Sequence, residues 1–367
     1  MKPSILFLTI TLLAISCSRE DDAPNITYIT TTPALATGDN YSLVLKSNGT
    51  LWGAGRNSSG QFGDNTTIDS DTFKYITDKV IAVSSFLNST LILKNDNTLW
   101  ATGRNFYGQL GYATATTGKL TQVTDNVVSI SSGYDFSLIV KNDNSLWAAG
   151  SNLNGEFGNG TKTQSGTFIR VMENVSKASA GNHSLVIKTD GSLWAAGFNF
   201  YGQLGDTTNT NQVLNFKKIM NNVQDVSSSL LHSIVLKTDG TVWASGNNSS
   251  SQFGDNGITN SNVFKQVASG VSSIETGGVY SMIIKNNATL WVSGENRAGS
   301  YGNGTTTSSP QFIQVASNVK TVSSGLNHVL FIKNDNTVWG SGNNNFGQLG
   351  DGGSIDKSTF TRLNIDL

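Results

Sequence analysis

The chain is a succession of short runs in which apolar and polar residues alternate, separated by glycine, asparagine and aspartate. Such runs, bounded by turn-forming residues, are typical of β-strands with one buried face. In a representative stretch the predicted strands are 127–130, 136–140, 145–149 and 168–171. After residue 28 no stretch has a convincing 3.6-residue apolar period, so the pattern predicts strands and turns rather than helices.

This four-strand pattern recurs with a period near 48 residues, and a tryptophan marks each copy. Every tryptophan opens the phrase Trp-x-x-Gly-x-Asn, and successive ones are 47 to 49 residues apart. Stacking such sheets in a ring buries both faces of each sheet, which is the arrangement of a β-propeller. We therefore predict an all-β, seven-bladed β-propeller in which one large ring per repeat fills the space between blades. The repeat tryptophans are Trp52, Trp100, Trp147, Trp194, Trp243, Trp291 and Trp339.

Two turns recur in every copy. Before each tryptophan stands an Asn or Asp followed by Gly or Asn, as in Asn48-Gly49, and such pairs predict a two-residue hairpin. Ala288 occupies the second position in one copy, where it fits positive φ poorly. The asparagine of the phrase, for example Asn57, suits a turn because its side chain can bond nearby backbone and its backbone tolerates the left-handed region.

The two ends of the chain predict how the ring closes. Phe360 and Leu363 occupy the positions that Phe73 and Ile76 hold in an earlier fourth strand, and the chain stops soon afterwards. The continuation of that repeat is found near the start, where residues 35–46 come into register just past that position. We therefore expect the ring to close by pairing N- and C-terminal strands, which removes exposed sheet edges.

The first residues have the pattern of a bacterial lipoprotein leader. Residues 5–15 are apolar apart from two threonines, a run too short to span a bilayer but suited to a signal peptide. Cys17 is the sole cysteine, and its position after residues 14–16 resembles a lipobox; an acidic cluster follows at residues 20–22. An ordinary cleaved signal is the alternative.

These features divide the chain into three parts. We expect residues 1–16 to be a lipoprotein signal peptide, residues 17–28 the lipidated Cys17 with an acidic tether, and residues 29–367 the propeller. The lipid would anchor the protein in the bacterial envelope, at the outer membrane. Surface-exposed and periplasmic orientations both remain open.

Composition narrows the range of partners. Lys and Arg total 24 against 25 Asp and Glu, for a net charge of -1, so no basic excess is present to neutralise phosphates. Nucleic acid is therefore not expected as a partner. Charged residues are 13% of the chain, about half the usual ~25%. Asn, Ser, Thr and 39 Gly supply the polarity instead, which suits turns and strands.

The composite motif resembles a known repeat. Gly-Asn-His-Ser-Leu at 181–185, Asp-Gly-Ser-Leu-Trp at 190–194 and Gly-Gln-Leu-Gly-Asp at 202–206 are similar to the regulator of chromosome condensation repeat, and the resemblance covers residues 29–367. It implies a seven-bladed propeller, in agreement with the count above. Guanine-nucleotide exchange, known in this family, is not expected, because no repeat has a long insertion and the leader places the domain outside the cytoplasm.

No catalytic residue, cofactor or metal site is predicted. His183, His232 and His328 occupy one repeat position, which Tyr41, Ser89, Phe136 and Tyr280 hold in other copies, so we interpret the histidines as structural. The carboxylates likewise recur in turn positions and form no pair with distinct environments. No nucleophile with a local base and no zinc spacing is present.

The loops after the phrase vary between copies, and variable aromatic and Arg side chains are the usual anchors of protein interfaces. The candidate partner-binding residues are Arg56, Arg104, Phe106, Tyr107, Phe198, Phe200, Tyr201, Arg297 and Phe346. Local packing of these rings over the next blade is the alternative. We expect a monomeric, non-enzymatic scaffold that contacts the membrane through its lipid alone and binds an unknown protein or glycan at the cell surface. An enzyme with its site at the propeller axis and a mainly structural module are the other two readings.

Overall fold

A computed structural model describes residues 30–113 and 118–367, and the regular secondary structure of these residues consists of β-strands. The strands form seven four-stranded antiparallel sheets, each from four consecutive strands. This confirms the predicted all-β, seven-bladed propeller. The signal peptide predicted for residues 1–16 and the lipidated Cys17 with its tether, residues 17–28, lie outside the described residues.

Each blade is numbered from its first to its fourth strand. The first strands are β1 Ala34–Thr37, β5 Val80–Phe86, β9 Val127–Ser132, β13 Val175–Ala180, β17 Val223–Ser228, β21 Val271–Thr276 and β25 Val319–Ser324. The second strands are β2 Tyr41–Leu45, β6 Ser89–Lys94, β10 Phe136–Lys141, β14 His183–Lys188, β18 His232–Lys237, β22 Tyr280–Lys285 and β26 His328–Lys333. The third strands are β3 Leu51–Gly55, β7 Leu99–Gly103, β11 Leu146–Gly150, β15 Leu193–Phe198, β19 Val242–Gly246, β23 Leu290–Gly294 and β27 Val338–Gly342. The fourth strands are β4 Ser70–Thr77, β8 Thr121–Thr124, β12 Ser165–Met172, β16 Gln212–Met220, β20 Ser261–Ala268, β24 Ser309–Ala316 and β28 Lys357–Arg362.

The order of strands gives the ring an inside and two faces. First strands of successive blades contact one another all the way round, including β1 with β25, so they surround the axis. Because neighbouring strands are antiparallel, the turns after the first strands and the long loops after the third strands, such as 38–40 and 56–69, share one face, which we call the loop face. The hairpins between second and third strands, such as 46–50, lie on the opposite hairpin face.

The tryptophans pack between blades, as predicted. Each is half-buried and contacts the hydrophobic core of the preceding blade; Trp194, for example, packs against the cluster of Leu138 and Phe157. Its indole N–H donates to Ser192 Oγ at 2.9 Å, and Lys188 Nζ lies 4.9 Å from the ring centroid. The same lysine–tryptophan pair occurs in all seven blades at 3.9 to 5.4 Å. The aromatic body is thus buried while its polar edge is satisfied.

The hairpins are one residue longer than predicted. Lys46 N–H donates to Thr50 O and Gly49 N–H to Lys46 O, so three residues form the loop. Gly49 has positive φ, but Asn48 does not. The reason is the Asn48 side chain, whose Oδ1 accepts from the backbone N–H and hydroxyl of Thr50. The loop is therefore a turn closed by a single left-handed residue rather than the two-residue hairpin.

Ring closure differs from the prediction. The first blade is β1–β4 and the seventh is β25–β28, so within residues 30–113 and 118–367 no terminal strand joins a sheet at the other end, and the predicted pairing is wrong. A short turn already gives β1 its partner in β2, so β1 does not need a strand from the C-terminus. The seventh and first blades meet by packing instead, with Leu363 and Ile365 in one cluster with Val44. A bridge between Thr72 and Asp351 completes the contact.

The repeated phrase Trp-x-x-Gly-x-Asn leads into a compact loop that is held by the buried side-chain amide of its asparagine. Asn57 is fully buried, its Oδ1 accepts Phe62 N–H at 3.0 Å, and its Nδ2 donates to Thr66 O at 3.2 Å. The equivalent bond to the residue five positions later occurs in all seven blades. The predicted side-chain role is confirmed, whereas the left-handed backbone is not, because none of these asparagines has positive φ.

Candidate binding face

All nine candidate partner-binding residues lie on the loop face, because each follows or ends a third strand. The Phe106, Phe200 and Phe346 side chains are 76%, 60% and 37% exposed. Arg297 is also exposed, with an ion pair to Glu295 at 3.0 Å. The other five candidates are half-buried. The structure therefore brings the predicted residues onto one surface; whether they bind a partner stays a prediction.

Arginine and aromatic side chains are paired on this face. Arg104 lies 5.1 Å from the Phe106 ring centroid and forms an ion pair with Asp135 at 3.3 Å. Arg56 lies 5.1 Å from the ring of Phe346, which belongs to the seventh blade. Cation–π contacts of this kind hold rings upright at a surface.

The fourth blade has a second aromatic group. The rings of Phe198 and Phe200 stack at 6.5 Å, and Phe200 meets Tyr201 edge-on at 5.0 Å. These contacts lie within the fourth blade, so they do not test the packing over the next blade considered as the alternative, and Phe200 remains 60% exposed.

Close to the axis, an axial ring of hydrogen bonds joins neighbouring blades. Its six polar side chains occupy one position of the first strands: Ser84, Ser131, Ser179, Ser227, Glu275 and Ser323. Ala36 holds this position in the first blade. The Ser84 and Ser131 hydroxyls accept backbone N–H groups of the next blade at 2.9 Å. Glu275 Oε1 does the same for Ser324 N–H at 3.2 Å. One carboxyl group therefore stands in a ring that is otherwise neutral.

Glu275 was not among the sequence-based candidates. Burial raises its pKa to about 8, the Ser324 N–H opposes this, and the nearby Asp225 adds to the rise. Asp225 itself forms an ion pair with Lys177 on the preceding blade. An alignment of the seven repeats would have identified Glu275 as unusual, because serine occupies its position in five of the other copies.

The three histidines have the structural role predicted for them. Each is fully buried, and its Nε2 is hydrogen bonded to a serine hydroxyl of the next blade; for His232 the partner is Ser281 at 2.9 Å. Burial lowers the pKa of His183 and His232 to about 3 and that of His328 to about 4. They are neutral bridges between blades rather than acid–base groups.

Metal chemistry finds no support in the described part of the chain. Residues 30–113 and 118–367 contain no group of three or more His, Cys, Asp or Glu arranged to hold a metal ion. The hairpin aspartates instead accept from nearby hydroxyl and N–H groups, which lowers the pKa of Asp96 and Asp239. The same residues contain no helix long and apolar enough to cross a membrane.

Three cavities on the loop face of the described residues differ in chemistry. A narrow one of about 20 Å³ lies at the axis between Phe86, Leu230 and Leu326. The second, of about 120 Å³, is formed mainly by the third blade, with Tyr107 of the second blade and Asn182 of the fourth in its walls. The third, of about 320 Å³, lies between the fourth and fifth blades and is lined by Phe200, Tyr201 and several amides.

Comparison with known proteins agrees with this fold. The family model described as "Regulator of chromosome condensation (RCC1) repeat" matches residues 34–61, 127–156, 178–203, 223–252 and 319–348. No curated protein sequence matches the chain significantly.

Solved structures of other proteins share the architecture at low sequence identity. Human WBSCR16 has a TM-score of 0.73 at 20% identity, over 82% of this chain and 86% of its own. Saccharomyces cerevisiae Prp20p, described with its binding properties to Gsp1p and histones, has 0.72 at 18%, over 80% of each chain. Yeast RCC1 (Prp20) bound to Kap60 has 0.78 at 16%, over 98% of this chain and 91% of its own. The chain is thus a seven-bladed propeller, and five of its blades contain a match to the regulator of chromosome condensation repeat.

Proposed function

We propose that this protein is a non-enzymatic, lipid-anchored scaffold of the bacterial envelope that binds a protein partner through its loop face. The exposure of Phe106, Phe200 and Phe346 on that face carries the proposal. Large exposed rings cost solubility unless a partner covers them, and aromatic and Arg side chains dominate binding energy at interfaces. Two of these rings already lie beside arginines, Arg104 and Arg56.

The relatives of this fold bind proteins. The yeast propeller is known in complex with Kap60, and Prp20p is described as binding Gsp1p and histones. Binding without catalysis is the part we transfer to this chain. Guanine-nucleotide exchange is left out because the repeats here are equal in length within two residues, with no insertion to contact a nucleotide-binding protein.

The point at which the chain enters the propeller supports an orientation in which the loop face points away from the membrane. Thr31 N–H donates to Ser47 O, so the chain enters the propeller at the hairpin face. A lipid on Cys17 would connect to this side of the ring. The loop face would then point away from the membrane, toward a partner.

The test is an affinity pull-down with the full chain in detergent, run on solubilised envelope and secreted fractions. The variant is Phe106→Ala/Phe200→Ala/Phe346→Ala, which removes the exposed rings of the loop face. The control is Tyr75→Ala/Val128→Ala, two side chains that are 50% and 48% exposed and lie away from the loop face. We expect a partner that the control retains and the loop-face variant loses. A partner that both retain would refute the assignment of the face, and the absence of any partner would refute the binding function.

A glycan is the second candidate ligand, because of the cavity between the fourth and fifth blades. Its walls combine the Phe200 and Tyr201 rings with the amides of Asn209, Asn260 and Asn262. A ring face and neutral amides that both donate and accept suit the apolar and hydroxyl surfaces of a sugar. Binding to a glycan array that is lost in Phe200→Ala, without any protein partner, would favour this candidate.

A further inference from the structure

The cavity formed mainly by the third blade combines aromatic walls with carboxyl groups. It has a volume of about 120 Å³, and its walls include Tyr107, Tyr134 and Leu153. The Tyr134 and Leu153 side chains are 39% and 56% exposed at its mouth. Two carboxyl groups, Asp135 and Glu156, complete the lining. The cavity is therefore a small acidic pocket with aromatic walls on the proposed binding face.

Both carboxyl groups occupy repeat positions that are neutral in the other blades. The position of Glu156 is held elsewhere by Gln61, Gln109, Gln203, Gln252, Ser300 and Gln348. The position of Asp135 is held elsewhere by Asn40, Asn88, Asn182, Leu231, Val279 and Asn327. Departures from a uniform repeat that meet in one pocket indicate a local function rather than a requirement of the scaffold.

The fold does not need the charge of Glu156. In other blades the glutamine side chain accepts the N–H of the residue two positions earlier, as Gln203 does from Tyr201 at 3.0 Å. Glu156 Oε2 makes the same bond to Asn154 N–H at 3.0 Å. Glu156 is only 3% exposed, and burial raises its pKa, so the carboxylate makes the fold less stable than a glutamine would. A buried charge kept at such a cost indicates a cationic ligand.

Asp135, the other carboxyl group of the pocket, already binds a guanidinium group, that of Arg104. This guanidinium group lies between the Phe106 ring, 5.1 Å from the centroid, and Asp135, at 3.3 Å. Glu156 forms no ion pair with a basic side chain of residues 30–113 and 118–367. Both Glu156 oxygens instead accept from Asn154, Oε2 from its backbone N–H at 3.0 Å and Oε1 from Nδ2 at 2.8 Å. The pocket thus has one carboxyl group with a guanidinium partner and a second one whose partners are neutral.

We propose that this pocket binds an arginine side chain of the protein partner. The guanidinium group would pair with Glu156 and stack on the Tyr134 or Tyr107 ring, and the aliphatic stem would contact Leu153. Arginine fits better than lysine because its planar fork matches a carboxylate and stacks on aromatic rings. The inference rests on the proposed function, since it names the chemistry that the partner presents to the loop face.

The test uses the full chain in detergent and two small probes, N-acetyl-arginine methylamide and its neutral counterpart N-acetyl-citrulline methylamide. Ligand-observed NMR titration measures both affinities. We expect the arginine probe to bind at least tenfold more tightly than the citrulline probe. Glu156→Gln should weaken the arginine probe about tenfold, the effect of losing one charge-assisted hydrogen bond, and leave the citrulline probe unchanged.

Two further variants serve as a charge control and as a test of the aromatic wall. Glu173→Gln makes the same change of charge at a carboxylate that is 67% exposed, far from the pocket, and should have no effect. Tyr134→Leu keeps both carboxyl groups, removes an aromatic wall and should weaken the arginine probe severalfold. Equal affinities for arginine and citrulline, or a Glu156→Gln variant that binds arginine like the natural chain, would overturn the proposal.

The outcomes separate this proposal from the proposed function. If Glu156→Gln keeps the partner and no arginine probe binds, while the loop-face variant loses the partner, the pocket assignment alone is wrong. If the arginine probe binds as expected but the full chain recovers no protein, the binding function is wrong and the pocket remains.

Discussion

Replacing Glu275 by glutamine should stabilise the protein by an amount that grows with pH. Burial raises the pKa of Glu275 to about 8 in the folded state, whereas the ordinary value for a glutamate is 4.5. The folded chain therefore keeps a proton that the unfolded chain releases. The natural protein thus loses stability as the pH rises from about 4.5 through about 8. Glutamine has no such proton to release and keeps an oxygen for the Ser324 N–H.

The size of the stabilisation by Glu275→Gln follows from the pKa shift of Glu275. Each pH unit inside this window changes the free energy of unfolding by about 1.4 kcal/mol for one proton. Between pH 5 and pH 7 the advantage of Glu275→Gln should grow by about 2 to 3 kcal/mol. For a chain of this size that corresponds to a rise of about 3 to 4 °C in the difference between the two melting temperatures.

The assay is guanidinium unfolding of the natural chain, Glu275→Gln and Glu173→Gln at pH 5, 6 and 7. Glu173 is an exposed carboxylate on the hairpin face, so its variant should differ from the natural chain by a small, constant amount. A Glu275→Gln advantage that stays constant with pH, or that Glu173→Gln reproduces, would refute the reasoning that burial near the axis keeps Glu275 protonated.

Three further effects should be measurable. Because burial lowers the pKa of His232 to about 3, the contribution of this histidine to stability should be complete above about pH 6.5 and fall below it, and His232→Gln should reduce the slope of melting temperature against pH between 6.5 and 4. Ala288 has φ 60°, so Ala288→Gly should raise the urea midpoint by an amount equivalent to about 1 kcal/mol, while Gly240→Ala in the equivalent turn should lower it. Asn152→Ala removes the buried acceptor of Phe157 N–H and should cost about 2 kcal/mol in urea unfolding.

The fold could be predicted from sequence because the same four-strand pattern occurs seven times. Strand alternation is weak evidence in a single copy, but the regular tryptophan spacing fixes both the number of blades and the strand that packs between them. Ring closure was missed for a related reason. The match of Phe360 to Phe73 shows that the last repeat stops after its fourth strand, but it does not say whether β1 pairs with β2 or with a C-terminal strand. The short turn before Tyr41 decides that.

The site was predicted only in part, because the sequence search looked for residue types known from interfaces. It found the rings and arginines of the loop face, which the structure brings onto one surface. It missed Glu156 and Glu275, since each looks like an ordinary carboxylate until it is aligned with the Gln or Ser of the other copies. Their burial cannot be read from the chain, because it depends on how tightly neighbouring blades meet at the compact loop and at the axial ring.

Glu156 and Glu275 together show how a uniform repeat separates scaffold from function. Both are buried acids in neutral positions, and in both burial raises the pKa, so glutamine should stabilise the protein at either one. Their surroundings differ, however. Glu275 lies in the axial ring and bonds the next blade, whereas Glu156 lines a cavity with Tyr134 and Leu153 at its mouth. We therefore expect Glu275→Gln to keep arginine-probe binding and Glu156→Gln to lose it, although both variants melt higher at pH 7. Equal loss in both would mean that binding does not depend on the pocket.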